Sequence, residues 1–165
     1  MVTEWNNVQV LLDSGLPVFG DRIEIERSFG LYQHWALSLG GETVVNFRQG
    51  PGDEMYNLVV PVVVTKPGTE HGEIKQEIKI MSEALYVVVG SSKVRINNGD
   101  DEKHFSSQED WPTMQEVQAN ISEFQVKWPK YDLINNNCEC FVNYARYGER
   151  YSDQTQVRAI LKQYE

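Results

Sequence analysis

The chain has 165 residues, of which 41% are hydrophobic and 24% are charged, the composition of an ordinary globular protein. This length fits one domain, expected over residues 1–165, and suffices for a hydrophobic core without disulfide bonds. A net charge of −9 disfavours nucleic acid as a partner, and no polybasic stretch is present to hold the chain on anionic lipid. No apolar run approaches the roughly 20 residues of a transmembrane helix, and the first residues lack a secretory signal pattern.

The two cysteines, Cys138 and Cys140, are separated by one residue. This spacing is poorly suited to a mutual disulfide, because the two side chains point the same way on a strand and apart on a helix. We therefore expect a reducing compartment and a cytoplasmic protein. A second close pair of metal ligands is missing from the sequence, so we expect neither a metal ion nor another cofactor.

The first half of the chain is rich in predicted strands. Residues 21–26 alternate polar and apolar side chains, as a half-buried strand does. Residues 34–39 and 43–47 are predicted to form a hairpin around the turn Gly40-Gly41. Further strands are predicted over the three segments 73–80, 85–89 and 93–96.

An apolar segment over residues 58–64 has two interpretations. It is a strand that carries Pro61 at an edge or bulge, or it is a loop that dips into a lipid surface. In the second case the membrane-contacting residues would be Leu58, Val59, Val60, Val62 and Val63.

The C-terminal half is predicted to be helical. Thr113 and Glu116 form a capping box at the start of one helix. A second helix is predicted over residues 138–147 with Gly148 as its stop, and a third over residues 154–163. Strands followed by helices predict an α+β protein with an antiparallel sheet packed against helices.

Cys138 is the candidate nucleophile. It follows three asparagines at the predicted start of a helix, where free N–H groups and the helix dipole favour a thiolate. A thiolate in that position can attack an ester or amide carbonyl. The alternative is that Cys138 is a small buried residue without chemistry.

His34 and Asn46 are the candidate partners of this cysteine. In a Cys–His–Asn arrangement the imidazole carries the proton and the amide oxygen holds the imidazole tautomer. Symmetric counting about the turn places His34 opposite a residue near 47. Asn46 therefore reaches His34 only if the register slips by one or the loop bulges. A lone histidine between apolar positions, as His34 is, is more often a satisfied core residue than a base, and His71 and His104, in polar segments, are expected to be solvated.

Motifs along the chain resemble one family, the HRAS-like suppressor group of phospholipase A/acyltransferases within the lecithin:retinol acyltransferase-like superfamily. The resemblance extends over about residues 19–160, and its most specific part is the cysteine motif. The segments that carry it are Gly20-Asp21-Arg22-Ile23-Glu24-Ile25, Tyr32-Gln33-His34-Trp35-Ala36, Val44-Val45, Asn97-Asn98, Asp100-Asp101 with Lys103, Asn137-Cys138-Glu139-Cys140-Phe141-Val142-Asn143, Arg146-Tyr147-Gly148 and Ser152-Asp153-Gln154.

The resemblance implies a thiol hydrolase fold related to papain and to NlpC-type enzymes, with its elements permuted. It implies that Cys138 is the nucleophile and His34 the general base. The residues that it places next to the substrate or the oxyanion are Tyr32, Arg27 and Trp35. The implied reaction transfers an acyl group from a membrane glycerophospholipid, contacted peripherally, to the cysteine and then to water, a lysophospholipid or the amine of phosphatidylethanolamine.

Three features of the sequence depart from the family pattern. Asn46 stands where the family usually has a second histidine, and Cys140 replaces the histidine of the cysteine motif. The chain stops at Glu165 without the hydrophobic anchor that vertebrate members often carry, so either it is truncated or membrane contact is expected elsewhere, for example through residues 58–64.

These departures keep two other interpretations open. A regulatory interaction protein of low or no activity, cellular or similar to the viral 2A proteins, would retain the fold without the chemistry. A thiol peptidase or amidase of the NlpC type is the third interpretation. The sequence does not indicate a protein partner.

Overall fold

The computed structural model describes residues 1–27, 32–48, 79–130, 132 and 136–153. In chain order its elements are α1 (Val8–Asp13), β1 (Arg22–Arg27), β2 (Tyr32–Gly40), β3 (Thr43–Arg48), β4 (Lys79–Ala84), α2 (Leu85–Val89), β5 (Val94–Ile96), α3 (Asp101–His104), a 3₁₀ turn (Gln108–Asp110), α4 (Met114–Lys127) and α5 (Cys138–Tyr147). The segment 58–64, with its proposed membrane-contacting residues, lies outside the described residues. So do most of the predicted strand 73–80 and the predicted helix 154–163.

The five strands form one antiparallel sheet in the order β4-β3-β2-β1-β5. Helices pack on both of its faces, which confirms the α+β class. Strand β2 is the middle strand, so its side chains are covered on both sides.

Alternation along the strands gives the sheet two buried faces. On the first, which we call the α5 face, side chains of β2 and β3 pack against α4 and α5; this core contains Trp35, Leu37, Val45, Phe47, Val117, Phe124, Cys138 and Phe141. On the second, the α2 face, side chains of β1, β2 and β3 pack against α1 and α2; this core contains Leu11, Ile23, Ile25, Ala36, Val44, Leu85, Val88 and Val89.

The β2–β3 hairpin contains a register shift. Gly40 pairs with Thr43, but Ser38 pairs with Val44, because the strands bulge between Ser38 and Gly40. The shift carries on to the pair Ala36–Asn46. Asn46 consequently lies on the same face of the sheet as His34, one alternation step along the hairpin. The contact between the two side chains depends on this bulged register.

The predicted strand over residues 85–89 is wrong, because this segment is helix α2. Leu85, Val88 and Val89 are buried at helical spacing, whereas Tyr86 is exposed. The run of valines favours a strand locally, but the spacing lets one helical face cover the α2 face of the sheet. Gly90 ends the helix at a positive φ of 58°.

Both predicted helix starts in the described C-terminal part are confirmed. Thr113 and Glu116 form the reciprocal capping box of α4, and α5 begins at Cys138 and ends before Gly148 in the left-handed conformation. None of the described helices is long and apolar enough to cross a bilayer.

Candidate active site

Cys138 occupies the first turn of α5. The side-chain oxygen of Asn137 caps this helix by accepting hydrogen bonds from the backbone N–H groups of Glu139 and Cys140, each at 3.0 Å. The cap fixes the helix start and hence the direction of the Cys138 side chain. The thiol is fully buried, with its Sγ atom 3.9 Å from the carbonyl oxygen of Gln33. Cys138 thus contacts β2 at the residue that precedes His34.

His34 and Asn46 contact each other, as the sequence predicted for a bulged hairpin. The Nε2 atom of His34 lies 3.1 Å from Oδ1 of Asn46. His34 is 1% exposed and Asn46 is fully buried. The pair forms a hydrogen bond that solvent does not compete for, and it holds the imidazole ring against β3.

Asn46 in turn is held by β4. Its Nδ2 atom lies 2.8 Å from Oε2 of Glu83 and 3.3 Å from the carbonyl oxygen of Met81. Arg48 approaches the other carboxylate oxygen, with Nη2 3.2 Å from Oε1 of Glu83. His34, Asn46, Glu83 and Arg48 therefore form one polar chain across three strands, with Glu83 partly buried and the other three buried.

Sequence reasoning missed Glu83. Glu83 belongs to no motif. The sequence also gives no register for pairing the segment before Glu83 with β3, so it does not show that Glu83 lies near Asn46. The sequence offered no such signal, because Glu83 lies between the predicted strands 73–80 and 85–89, and only the structure places it in β4. The pairing of Val44 with Glu83 places the carboxylate next to Asn46.

The surroundings of His34 lower its pKa from 6.5 to about 3. Burial is the largest cause, and the positive charges of Arg27 and Arg48 add to it, whereas the hydrogen bond to Asn46 acts in the opposite direction. His34 is therefore a neutral imidazole at neutral pH. One ring nitrogen carries a lone pair that can accept a proton, although the resulting imidazolium is strongly disfavoured.

Arg27 is buried, and its guanidinium binds the C-terminal end of α2. It donates to the carbonyl oxygens of Val88 and Val89 and to the hydroxyl of Ser92. The cation thereby complements the negative end of the short helix. Its described role is to join β1 to α2 and to lower the pKa of His34 through its charge.

Trp35 and Tyr32 flank His34 on β2. Alternation directs Trp35 to the α5 face, where it shares a core with Cys138 and lies under the guanidinium of Arg22 at 4.7 Å from the ring centroid. The backbone of Tyr32 pairs with Arg27, while its side chain lies outside the described residues. The structure thus places Trp35 on the cysteine side of the sheet.

Cys140 and His104 have no contact with the His34–Asn46 pair among those described. Cys140 is buried two positions along α5, about 200° around the helix from Cys138, and burial raises the pKa of its thiol. The prediction that His104 is solvated is wrong: its ring stacks on Tyr147 at 4.2 Å and lies 3.3 Å from the hydroxyl of Tyr151. These two tyrosines, from a distant segment, cover most of the His104 side chain, which is 14% exposed, while His71 lies outside the described residues.

The chain matches one protein family over most of its length. Residues 16–151 match the family model of lecithin retinol acyltransferase. The chain is 34% identical to phospholipase A and acyltransferase 3 of Homo sapiens, over 88% of this chain and 78% of that protein. It is 36% identical to phospholipase A and acyltransferase 1 of Rattus norvegicus, over 87% and 75%. With phospholipase A and acyltransferase 2 of Homo sapiens it shares 33% identity over 84% and 75%.

The matched region includes β1 to β5, α4 and α5, and with them every described residue of the candidate site. The chain belongs to the lecithin retinol acyltransferase family, and the α+β fold is consistent with that family. The names of its relatives support a family that acts on phospholipids as phospholipases and acyltransferases.

Proposed function

We propose that the chain is a thiol-dependent phospholipase A/acyltransferase, with Cys138 as nucleophile, His34 as general base and Asn46 as the group that orients His34. The observation that supports it most is the buried hydrogen bond between His34 Nε2 and Asn46 Oδ1, 3.1 Å long, on the strand that Cys138 contacts. The family membership and the names of the relatives supply the substrate class.

The first half-reaction forms an acyl-thioester. The Sγ atom of Cys138 attacks the ester carbonyl carbon of a glycerophospholipid while His34 takes the thiol proton. The carbon–oxygen bond of the ester then breaks, and His34 returns the proton to the leaving glycerol oxygen, so a lysophospholipid departs. In the second half-reaction His34 takes a proton from water, a lysophospholipid hydroxyl or the amine of phosphatidylethanolamine. That acceptor displaces the sulfur, and the thiol is restored.

The start of α5 favours the negative charge that develops in both steps. The N-terminal dipole of α5 stabilises a thiolate and a nearby oxyanion. The N–H groups of Glu139 and Cys140 already donate to Asn137. As long as Asn137 caps the helix, these two N–H groups stabilise the negative charge through the helix dipole and not by direct hydrogen bonds.

The thiol and the imidazole approach from different sides of the sheet. Alternation along β2 directs His34 to the α2 face, whereas Cys138 belongs to the core of the α5 face. The contact of Sγ with the Gln33 carbonyl places the sulfur at the level of the strand itself. In this proposal the two groups meet at the end of β2 where Gln33 lies.

In this proposal the protein contacts phospholipid peripherally from the cytoplasmic side. Leu58, Val59, Val60, Val62 and Val63 are the proposed contact, since a run of apolar side chains can enter the headgroup region.

Two observations favour a second candidate, a regulatory interaction protein that has lost most activity. With a pKa of about 3, His34 is a weak proton acceptor, and residue 46 is an asparagine where the family resemblance leads us to expect a histidine. Such a protein would keep the fold and bind partners without turnover.

Product release from vesicles of phosphatidylcholine, phosphatidylethanolamine and added lysophospholipid distinguishes the two candidates. Free fatty acid, acylated lysophospholipid and N-acylated phosphatidylethanolamine are measured for the wild type, Cys138→Ser and Cys140→Ser. The proposal predicts turnover by the wild type and Cys140→Ser and none by Cys138→Ser. Turnover retained in Cys138→Ser contradicts the mechanism, and a folded wild type without any product supports the second candidate.

A further inference from the structure

We propose that Glu83 is a positioning residue that, through Asn46, fixes the tautomer of His34, with the proton on Nε2 and the lone pair on Nδ1. The inference rests on the proposed function in so far as His34 serves as the base. It assigns a role to a residue of β4 that no motif contains.

The contacts of Asn46 determine which way its amide group points. One end of the amide faces two acceptors, the Glu83 carboxylate at 2.8 Å and the Met81 carbonyl oxygen at 3.3 Å. Both acceptors require N–H donors, so that end is the NH₂ group. The opposite end, which faces His34, is therefore the carbonyl oxygen.

The orientation of the amide decides the state of the imidazole. The Asn46 oxygen lies 3.1 Å from His34 Nε2 and can only accept. Nε2 therefore donates, and in the neutral ring Nδ1 then carries the lone pair. A flipped amide would present its NH₂ group to Nε2, and the ring proton would move to Nδ1, which could no longer accept a proton from a thiol.

An asparagine in this place needs an external group to set its direction. The two ends of a carboxamide have nearly the same shape, so packing alone does not distinguish the two orientations. In a buried site the wrong orientation of the amide costs free energy only if the groups at its two ends differ, with acceptors at one end and a donor at the other. Glu83 and Met81 supply that difference, and Glu83 does so with a charged acceptor.

Glu83 is itself held in place by Arg48. Its two oxygens have separate partners, Oε2 for Asn46 and Oε1 for Arg48. The side chains of Arg48 and Glu83 are 8% and 11% exposed, so solvent offers little replacement for either partner. Substitution by glutamine leaves one oxygen for two donors, which makes Glu83→Gln a sharp test.

In Glu83→Gln the remaining oxygen should stay with the charged Arg48, because charge-assisted hydrogen bonds are the stronger ones. The new NH₂ group then faces the NH₂ group of Asn46, and relief of this clash flips the Asn46 amide. The matched control is Glu24→Gln. Glu24 likewise lies on a strand with little solvent exposure and pairs with an arginine, Arg95, at 2.7 Å, but it lies on the α5 face.

The experiment combines ¹⁵N NMR of the His34 ring with the rate of acyl-thioester formation from phosphatidylcholine vesicles. The His34 signals are assigned by their loss in His34→Gln. We expect the Nε2–H tautomer in the wild type and in Glu24→Gln, and the Nδ1–H tautomer in Glu83→Gln. Acylation should be slower in Glu83→Gln by on the order of 100-fold and unchanged in Glu24→Gln.

Two results would overturn the inference. The first is an Nδ1–H tautomer in the wild type, a measurement that needs no variant to fold. The second is a Glu83→Gln protein that keeps both the Nε2–H tautomer and the wild-type rate. A wild type that shows the Nε2–H tautomer, with the change in Glu83→Gln, but forms no thioester supports the positioning role and overturns the proposed function instead.

Discussion

At the scale of single residues, His34 depends on neighbours that keep it neutral. Burial and the charges of Arg27 and Arg48 oppose protonation, and Asn46 holds the ring through Nε2. A neutral imidazole is ready to accept a proton, but the imidazolium lasts only as long as a nearby negative charge compensates it. In the proposed reaction that charge is the thiolate or the oxyanion at Cys138.

The low pKa of His34 predicts a stability that depends on pH. In the unfolded chain the imidazole binds a proton near its ordinary value of 6.5, whereas in the folded protein it does so only near 3. The contribution of His34 to stability is fully present above the pKa of the unfolded chain, 6.5, and is lost as the pH falls towards the pKa of the folded protein, about 3. The free energy of unfolding should therefore fall below about pH 6.5 by up to about 1.4 kcal/mol per pH unit from this group.

Urea unfolding at several pH values between about 7.5 and 4.5 checks this prediction in the wild type and in His34→Gln. Carboxylates contribute their own slope to both proteins, so the difference between the two slopes isolates His34. Equal slopes for wild type and variant would show that His34 is not the buried neutral group described.

Part of the candidate site can be predicted from single residues. Cys138, His34 and Asn46 are visible in the sequence because helix-start chemistry and the family resemblance point to them. Glu83 is not visible, because its role arises from strand pairing with β3 across a long separation in sequence. The prediction that His104 is solvated was wrong for the same reason, because Tyr147 and Tyr151 contact it from a distant segment of the sequence.

At the scale of elements, caps and glycines predicted boundaries better than side-chain types predicted element classes. The capping box at Thr113 and the stop at Gly148 are local signals, and both are confirmed. Residues 85–89 are rich in β-branched valine, yet they fold as a helix that covers the α2 face. The bulge between Ser38 and Gly40 likewise carries no sequence signal that separates it from a regular hairpin.

Removal of the N-cap of α4 or of α5 tests whether the start of α5 positions the Cys138 thiol. Thr113→Ala and Asn137→Ala each remove the side-chain acceptor at a helix start, which costs about 1 kcal/mol of stability. Asn137 is also buried and donates from Nδ2 to the hydroxyl of Ser152, so Asn137→Ala should cost more than Thr113→Ala. Asn137→Ala should also slow acylation at least about tenfold, because the helix start that holds Cys138 shifts relative to β2. Thr113→Ala should leave the acylation rate of the folded protein unchanged.

Chemical denaturation and acylation rates, measured on the same preparations, check the pair of variants. A larger loss of stability in Asn137→Ala, with a loss of acylation rate only in that variant, is the expected result. Equal rates in both variants would mean that the cap of α5 does not position the thiol.

At the scale of the whole molecule, the sheet separates two cores and the candidate site joins them. The polar chain from Arg48 to His34 belongs to the α2 face, and Cys138 to the α5 face. Strand β2, in the middle of the sheet, carries His34 and contacts the thiol. A substitution that disrupts the packing of either core should therefore also alter the geometry of the candidate site.

The net charge of −9 predicts the response to membrane charge. Vesicles of zwitterionic phosphatidylcholine should bind the protein better than vesicles that also contain anionic phosphatidylserine, because the acidic protein is repelled. Vesicle sedimentation at low ionic strength measures the difference, and added salt should reduce it by screening. Binding that strengthens with phosphatidylserine would point to a local basic contact and contradict this account.

The most direct test of the central claim is the intact mass of the protein after incubation with phosphatidylcholine vesicles. We predict a mass increase of one fatty-acyl group on the wild type and on Cys140→Ala, removable by hydroxylamine, and none on Cys138→Ala. An adduct that persists in Cys138→Ala, or a folded wild type with neither an adduct nor released fatty acid, would contradict acyl transfer through Cys138.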